Sequence, residues 1–165
     1  MNTTVEEQLP AWYFARYGRV PEKREVDLAC CWVQRARRFT RRNAEREFEG
    51  RGFRVVYQEL SVAGVWVRAK LNLRAKKVFV DPGAEADLLH QMDLLGFPLA
   101  PAPKHLILTH ELFHLFCPRC PGAIAEMAAH LYCAEVLELS YFPGLLDLST
   151  NQLGLEAVSV RELSA

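Results

Sequence analysis

The sequence predicts a single α+β domain over 1–165, with helices flanking a small three-strand antiparallel sheet. Three observations carry this expectation. Apolar residues recur at helical spacing over most of 1–50 and again beyond residue 84. Between them, 53–80 alternates apolar and polar side chains. No repeat, low-complexity tract or flexible linker divides the chain. The domain therefore splits into a helical N-terminal region, 1–50, and a part comprising the sheet and further helices, 51–165.

Taken in order, Thr4-Val5-Glu6-Glu7 fits a capping box, and Pro10 reads as a second helix start that runs to a stop at Gly18. Pro21 opens a longer helix with Val26, Cys30, Val33 and Ala36 on one stripe. Phe39, Ala44 and Phe48 continue that stripe loosely until Gly50 and Gly52 end it. Phe53, Val55 and Tyr57 mark a first strand, Val65 to Leu73 a second, and Val78-Phe79-Val80 a third. The lysines and arginines among them give the meander one wet face. Residues 84–95 form a helix stopped by Gly96, and 97–103 a loop with three prolines. Residues 104–116 form a strongly apolar helix, 117–122 a turn and 123–139 a last helix.

Composition excludes several classes of function. Twenty basic and twenty acidic residues cancel, so no global field draws the chain to nucleic acid or anionic lipid. No apolar run reaches the ~18 residues of a membrane span, and the start lacks the basic head and apolar stretch of a signal peptide. Five cysteines, an odd number, suit a reducing cytoplasm better than a fully paired secreted scaffold. Arg35, Arg37, Arg38, Arg41, Arg42 and Arg46 read as a solvated face. Glu45, Glu47 and Glu49 offset them and no aromatic ladder accompanies them, so direct contact with nucleic acid is not expected.

The chemistry concentrates in His110-Glu111-Leu112-Phe113-His114. On a helix, residues four apart share a face, about 6 Å apart along the axis. Two imidazoles so placed can converge on one Zn²⁺ at ~2.0–2.1 Å each. Glu111, one step round, is placed to take a proton from water at the metal rather than to ligate it. By chance this pattern arises in roughly one such chain in eighty. Leu106, Ile107, Leu108, Leu112, Leu115 and Phe116 make the helix apolar nearly all round, where unpaired histidines and a glutamate would be costly.

Catalytic zinc takes three protein ligands as a rule. Glu126 is the best third candidate, a carboxylate among apolar neighbours on the helix that the tight 117–122 turn folds beside the first. His130 shares its face and could replace it, support it, or donate a hydrogen bond to a developing oxyanion. Tyr132, His105 and Tyr141 are further oxyanion candidates. Two imidazoles and a carboxylate would also accept Mn²⁺, Fe²⁺ or Ni²⁺.

Thr109-His110-Glu111-Leu112-Phe113-His114, followed by Glu126-x-x-Ala129-x-x-Tyr132-Cys133, resembles the paired signature of the ImmA/IrrE-type metallopeptidases. The order of elements from about residue 44 to 143 resembles that family too. The resemblance implies a compact, zincin-like, gluzincin-type fold with one zinc ion on His110, His114 and Glu126 and Glu111 as catalytic base. It also implies a cytoplasmic regulatory protease, often encoded by mobile elements or stress systems, that cleaves a transcriptional repressor. The meander would then offer an edge strand for an extended protein or peptide substrate.

Two rival readings accompany this one. Cys117-x-x-Cys120 has the spacing of a zinc knuckle or redox pair, which Cys30, Cys31 or Cys133 would have to complete. Alternatively the metal on the histidines is structural, and the chain is a non-catalytic protein-binding module.

Overall fold

The computed structural model describes residues 4–60 and 67–148. It is an α+β fold of six helices, a three-strand sheet and a 3-10 turn. Helix α1 spans Val5–Tyr17. The capping box is present, with Glu7 N–H donating to Thr4 Oγ1 at 3.4 Å and Thr4 N–H to Glu7 Oε2 at 2.8 Å. Gly18 ends the helix at φ 73°, a left-handed conformation that suits glycine. Pro10 lies inside α1 and does not open a second helix. The bond it removes would have been to the carbonyl of Glu6, an exposed residue where water can substitute.

The long helix expected from Pro21 to Gly50 is two helices, α2 over Lys23–Phe39 and α3 over Ala44–Gly50. Thr40 breaks them, turning its hydroxyl back to the Ala36 carbonyl at 3.1 Å, and Asn43 caps α3 by accepting from Arg46 N–H at 3.0 Å. Buried Glu47 closes the corner, accepting from the N–H groups of Arg41 and Arg42 at 2.8 Å each. The six arginines are thus divided between α2, the connection and α3. The buried stripe of α2 is Ala29, Val33 and Ala36, while Cys30 is exposed.

Strands β1 (Arg54–Tyr57), β2 (Ala69–Asn72) and β3 (Lys77–Val80) are ordered β1-β3-β2. The expected antiparallel meander is therefore incorrect. β2 and β3 form an antiparallel hairpin, but β1 runs parallel to β3 in a mixed sheet. Alternation identifies a strand without naming its neighbour, and the connection between β1 and β2 is long enough to carry the chain past β3. The expected second strand began at Val65, which lies outside the described residues. Val78 and Val80 put the central strand in the core, and β2 is an edge.

Helix α4 spans Ala84–Leu94, α5 Pro103–Phe116 and α6 Gly122–Val136; a 3-10 turn follows at Pro143–Asp147. α6 stops three residues earlier than expected, and Glu138 takes a left-handed φ of 52° without a glycine to mark the place. Buried Leu108, Leu112 and Phe113 of α5 meet Met127, Ala128 and Tyr132 of α6 in a core that also holds Trp12, Val33 and Phe48. No helix among the described residues is long and apolar enough to cross a membrane.

Gly144 lets the 3-10 turn lie against Trp12. A Cβ there would come within 2.9 Å of the indole Cδ1 and Nε1, and Trp12 is fully buried. With no room to yield, Gly144→Ala should lose about 1–3 kcal/mol of stability. Thermal unfolding checks this: an unchanged midpoint would mean the turn is free to lift off the indole.

Candidate metal centre

The turn at 117–122 returns the chain so that α6 lies beside α5, as the tight Cys117–Gly122 sequence suggests. One turn of α5 sets His110 Nε2 3.2 Å from His114 Nε2. Glu126, in the second turn of α6, brings Oε2 to 3.5 Å from the first and Oε1 to 3.4 Å from the second. Ligands ~2.0–2.1 Å from a tetrahedral centre stand about 3.3–3.4 Å apart, so these spacings are already those of a metal's coordination edges. This is the one cluster of three or more metal-ligand side chains among the described residues.

The electrostatics fit that use. Burial alone would lower the pKa of His110, but the Glu126 carboxylate outweighs it and the net shift is upward. Burial pushes Glu126 up, and the two imidazoles more than reverse this, leaving it well below the usual carboxylate range. Glu111 points elsewhere, against the backbone N–H of Leu71 on β2; burial raises its pKa despite the histidines nearby. A carboxylate with raised basicity, beside the ligands but outside the cluster, is suited to proton transfer.

All four residues line a cleft of about 780 Å³ walled by the edge strand β2 on one side and by the 3-10 turn on another. His130 lies on that wall, its ring 4.7 Å from the His110 ring and its Nε2 3.0 Å from Asp147 Oδ2. Burial lowers its pKa, with Asp147 opposing. Asp147 in turn pairs with Arg68, which precedes β2 and also bonds Asp87 at 3.0 Å and the Leu146 carbonyl at 2.6 Å. Burial raises the Asp147 pKa, but His130 and Arg68 carry it down to about 2. This chain of polar contacts, ionic between Arg68 and its two aspartates, joins strand, turn and ligand helix across the cleft.

Tyr132 is not at the site. Its hydroxyl lies 2.6 Å from Thr40 Oγ1 and its ring packs on Phe113, both on the core side of α5 and α6. It sits two residues past His130, and that step turns it away from the cleft. Tyr141 stacks on Phe97 with ring centroids 4.2 Å apart, and neither it nor His105 lines the cleft. Of the oxyanion candidates, His130 is the one in place. Phe113, beside the second histidine in sequence, is fully buried and leaves the cleft clear.

Cys117 and Cys120 reach the rim of the same cleft but, among the described residues, gather no third and fourth ligand. Cys117 Sγ is 3.7 Å from the Trp32 carbonyl, and burial pushes the Cys120 thiol up to about 12, so it is held as a thiol. Cys30 and Cys31 are exposed on α2, Cys133 is buried 3.7 Å from the Leu106 carbonyl, and all five are free. Sequence reasoning missed Asp147 and Arg68. Arg68 reads in sequence as a solvated position of the alternating second strand and Asp147 belongs to no motif; only the fold brings them together. Comparison with protein-family models, curated proteins and solved structures finds no match for this chain.

Proposed function

We propose that the chain is a zinc-dependent metallopeptidase that hydrolyses a peptide bond with Glu111 as general base. The observation that carries this reading is the convergence of His110, His114 and Glu126 at ligand spacing, with Glu111 beside them in the cleft. The two imidazoles and the carboxylate would hold one Zn²⁺, which when bound supplies Lewis acidity toward a carbonyl and makes water a nucleophile near neutral pH.

The remaining roles belong to the chain itself. Glu111 accepts a proton from the attacking water and delivers it to the departing amine nitrogen. Main-chain groups on the outer edge of β2 bind an extended substrate by strand addition, because β3 occupies only the inner edge. Asp147 and Arg68 hold His130 on the opposite wall, where its ring can orient the substrate. In keeping with the family resemblance, the substrate would be a repressor or another regulatory protein, cleaved in the cytoplasm.

Elemental analysis is the first test. Wild type and the Cys117→Ser/Cys120→Ser double variant should both carry one zinc per chain, and wild type should cut unfolded polypeptide in a chelator-sensitive manner. Zinc that disappears only with the cysteines would replace this reading with a structural thiolate site. One zinc without any cleavage would favour the metal-stabilised binding module.

A further inference from the structure

We propose that the surface formed by the C-terminal halves of α2 and α5 and the α2–α3 connection binds single-stranded nucleic acid. The arginine stretch looks like a solvated face in sequence because no aromatic residues alternate with it. The fold supplies them from elsewhere. Phe116, at the end of α5, lies with its ring centroid 5.8 Å from that of Phe39, and it shares with Trp32 the lining of a groove of about 370 Å³. Arg35 and Arg119 line the same groove.

The planar groups interleave. The Arg35 guanidinium stands 5.3 Å over the Trp32 ring, and that of Arg51 stands 4.9 Å over Phe116. The Arg42 guanidinium lies against Gly50, next to Arg51. A continuous track therefore runs from Arg35 and Trp32 past Arg119, Phe116 and Phe39 to Arg51 and Arg42.

Of the acidic residues that offset these charges in sequence, Glu45 and Glu47 are engaged in the fold, whereas Glu49 is exposed. Glu47 is buried on the backbone of Arg41 and Arg42 and pairs with Arg51 at 3.5 Å, Glu135 pairs with Arg37 at 3.2 Å, and Glu45 pairs with Lys104 at 2.6 Å. Among the described residues, Arg35, Arg38, Arg42 and Arg119 have no carboxylate within ion-pair distance.

Unneutralised guanidiniums beside exposed Phe39 and half-buried Phe116 and Trp32 are what a single strand uses: phosphates take the charges and an unpaired base stacks on the open Phe39 ring. An acidic peptide would satisfy the charges and leave Phe39, 48% exposed, without a role. The overall charge of zero gives no long-range steering, so the affinity should be modest and steeply dependent on salt. With about three phosphates neutralised, log K should fall against log[salt] with a slope of about −2.

The test is fluorescence anisotropy of labelled 12-nucleotide oligo-dT and oligo-U titrated with the full chain across a salt series. Both should bind with that slope, the two arms showing whether the sugar matters. Phe39→Ala should weaken binding about 5- to 100-fold through lost stacking, and Arg35→Glu/Arg119→Glu should abolish it and flatten the slope. All three positions are exposed, and far-UV circular dichroism should match wild type. Glu111→Gln should bind as wild type does, so this result stands or falls apart from peptidase activity. No binding at low salt, or affinities untouched by both variants, would overturn the proposal. So would polyglutamate competing as well as the oligonucleotides while Phe39→Ala costs nothing, which would mark the track as a site for acidic polypeptide.

Discussion

Glu111→Gln should abolish hydrolysis and leave the metal in place. Positioned general-base catalysis contributes about 10²–10⁴-fold, so the variant's rate should fall by at least that factor. The amide keeps the shape of the carboxylate but has no basic oxygen. Its neighbours would feel little, because Glu111 stands outside the His110, His114 and Glu126 cluster and its main backbone contact is with Leu71 on β2. Metal content by elemental analysis and turnover of an unfolded protein substrate, measured on the same preparation, test both halves together. A variant that has lost its zinc would show Glu111 to be a ligand or a ligand's support. A variant that cleaves at the wild-type rate would remove the base from the mechanism altogether.

How much of this site was legible in the sequence follows from how local each part is. Helical spacing alone aligns His110 with His114, and the short 117–122 turn leaves the following helix few places to go, so Glu126 is legible from sequence. The same locality separates Glu111 from the two ligands. What escaped is long-range. Asp147 stands seventeen residues after His130 and seventy-nine after Arg68, and their meeting depends on the 3-10 turn lying flat on Trp12, which Gly144 permits. Tyr132 suits an oxyanion by its chemistry, whereas its position two residues from His130 faces the core. The sheet failed similarly: alternation found three strands, but β1's pairing with β3 is a choice made by the connection between β1 and β2. The break at Thr40 had a local signal that the loose stripe obscured, since Asn43 is a strong N-cap.

Glu126→Ala should remove the metal and, in the metal-free protein, reshape how stability depends on pH. Two shifts of opposite sign meet in this cluster. The raised His110 pKa means that its proton stabilises the metal-free fold fully below the unfolded value of about 6.5 and ceases to do so as pH rises through the folded value. The lowered Glu126 pKa means that its charge stabilises the fold above about 4.5 and is lost as pH falls toward the folded value. The metal-free protein should therefore be most stable between these limits. Zinc and protons compete for the same imidazole, so zinc's stabilising effect should grow as pH rises through the upper limit, where the proton's contribution fades. At a free zinc concentration one hundred times its Kd the added stability is about 2.7 kcal/mol, enough for a clear rise in the unfolding midpoint. In Glu126→Ala, His110 loses the carboxylate that outweighs its burial, with only the weaker pull of Glu111 and Asp147 left against it, so the maximum should flatten and added zinc should no longer raise the midpoint. Thermal unfolding from pH 4 to 8, with and without zinc, separates the cases. A variant that still gains full stabilisation from zinc would transfer the third ligand to another donor lining the cleft, His130 or a rim cysteine foremost.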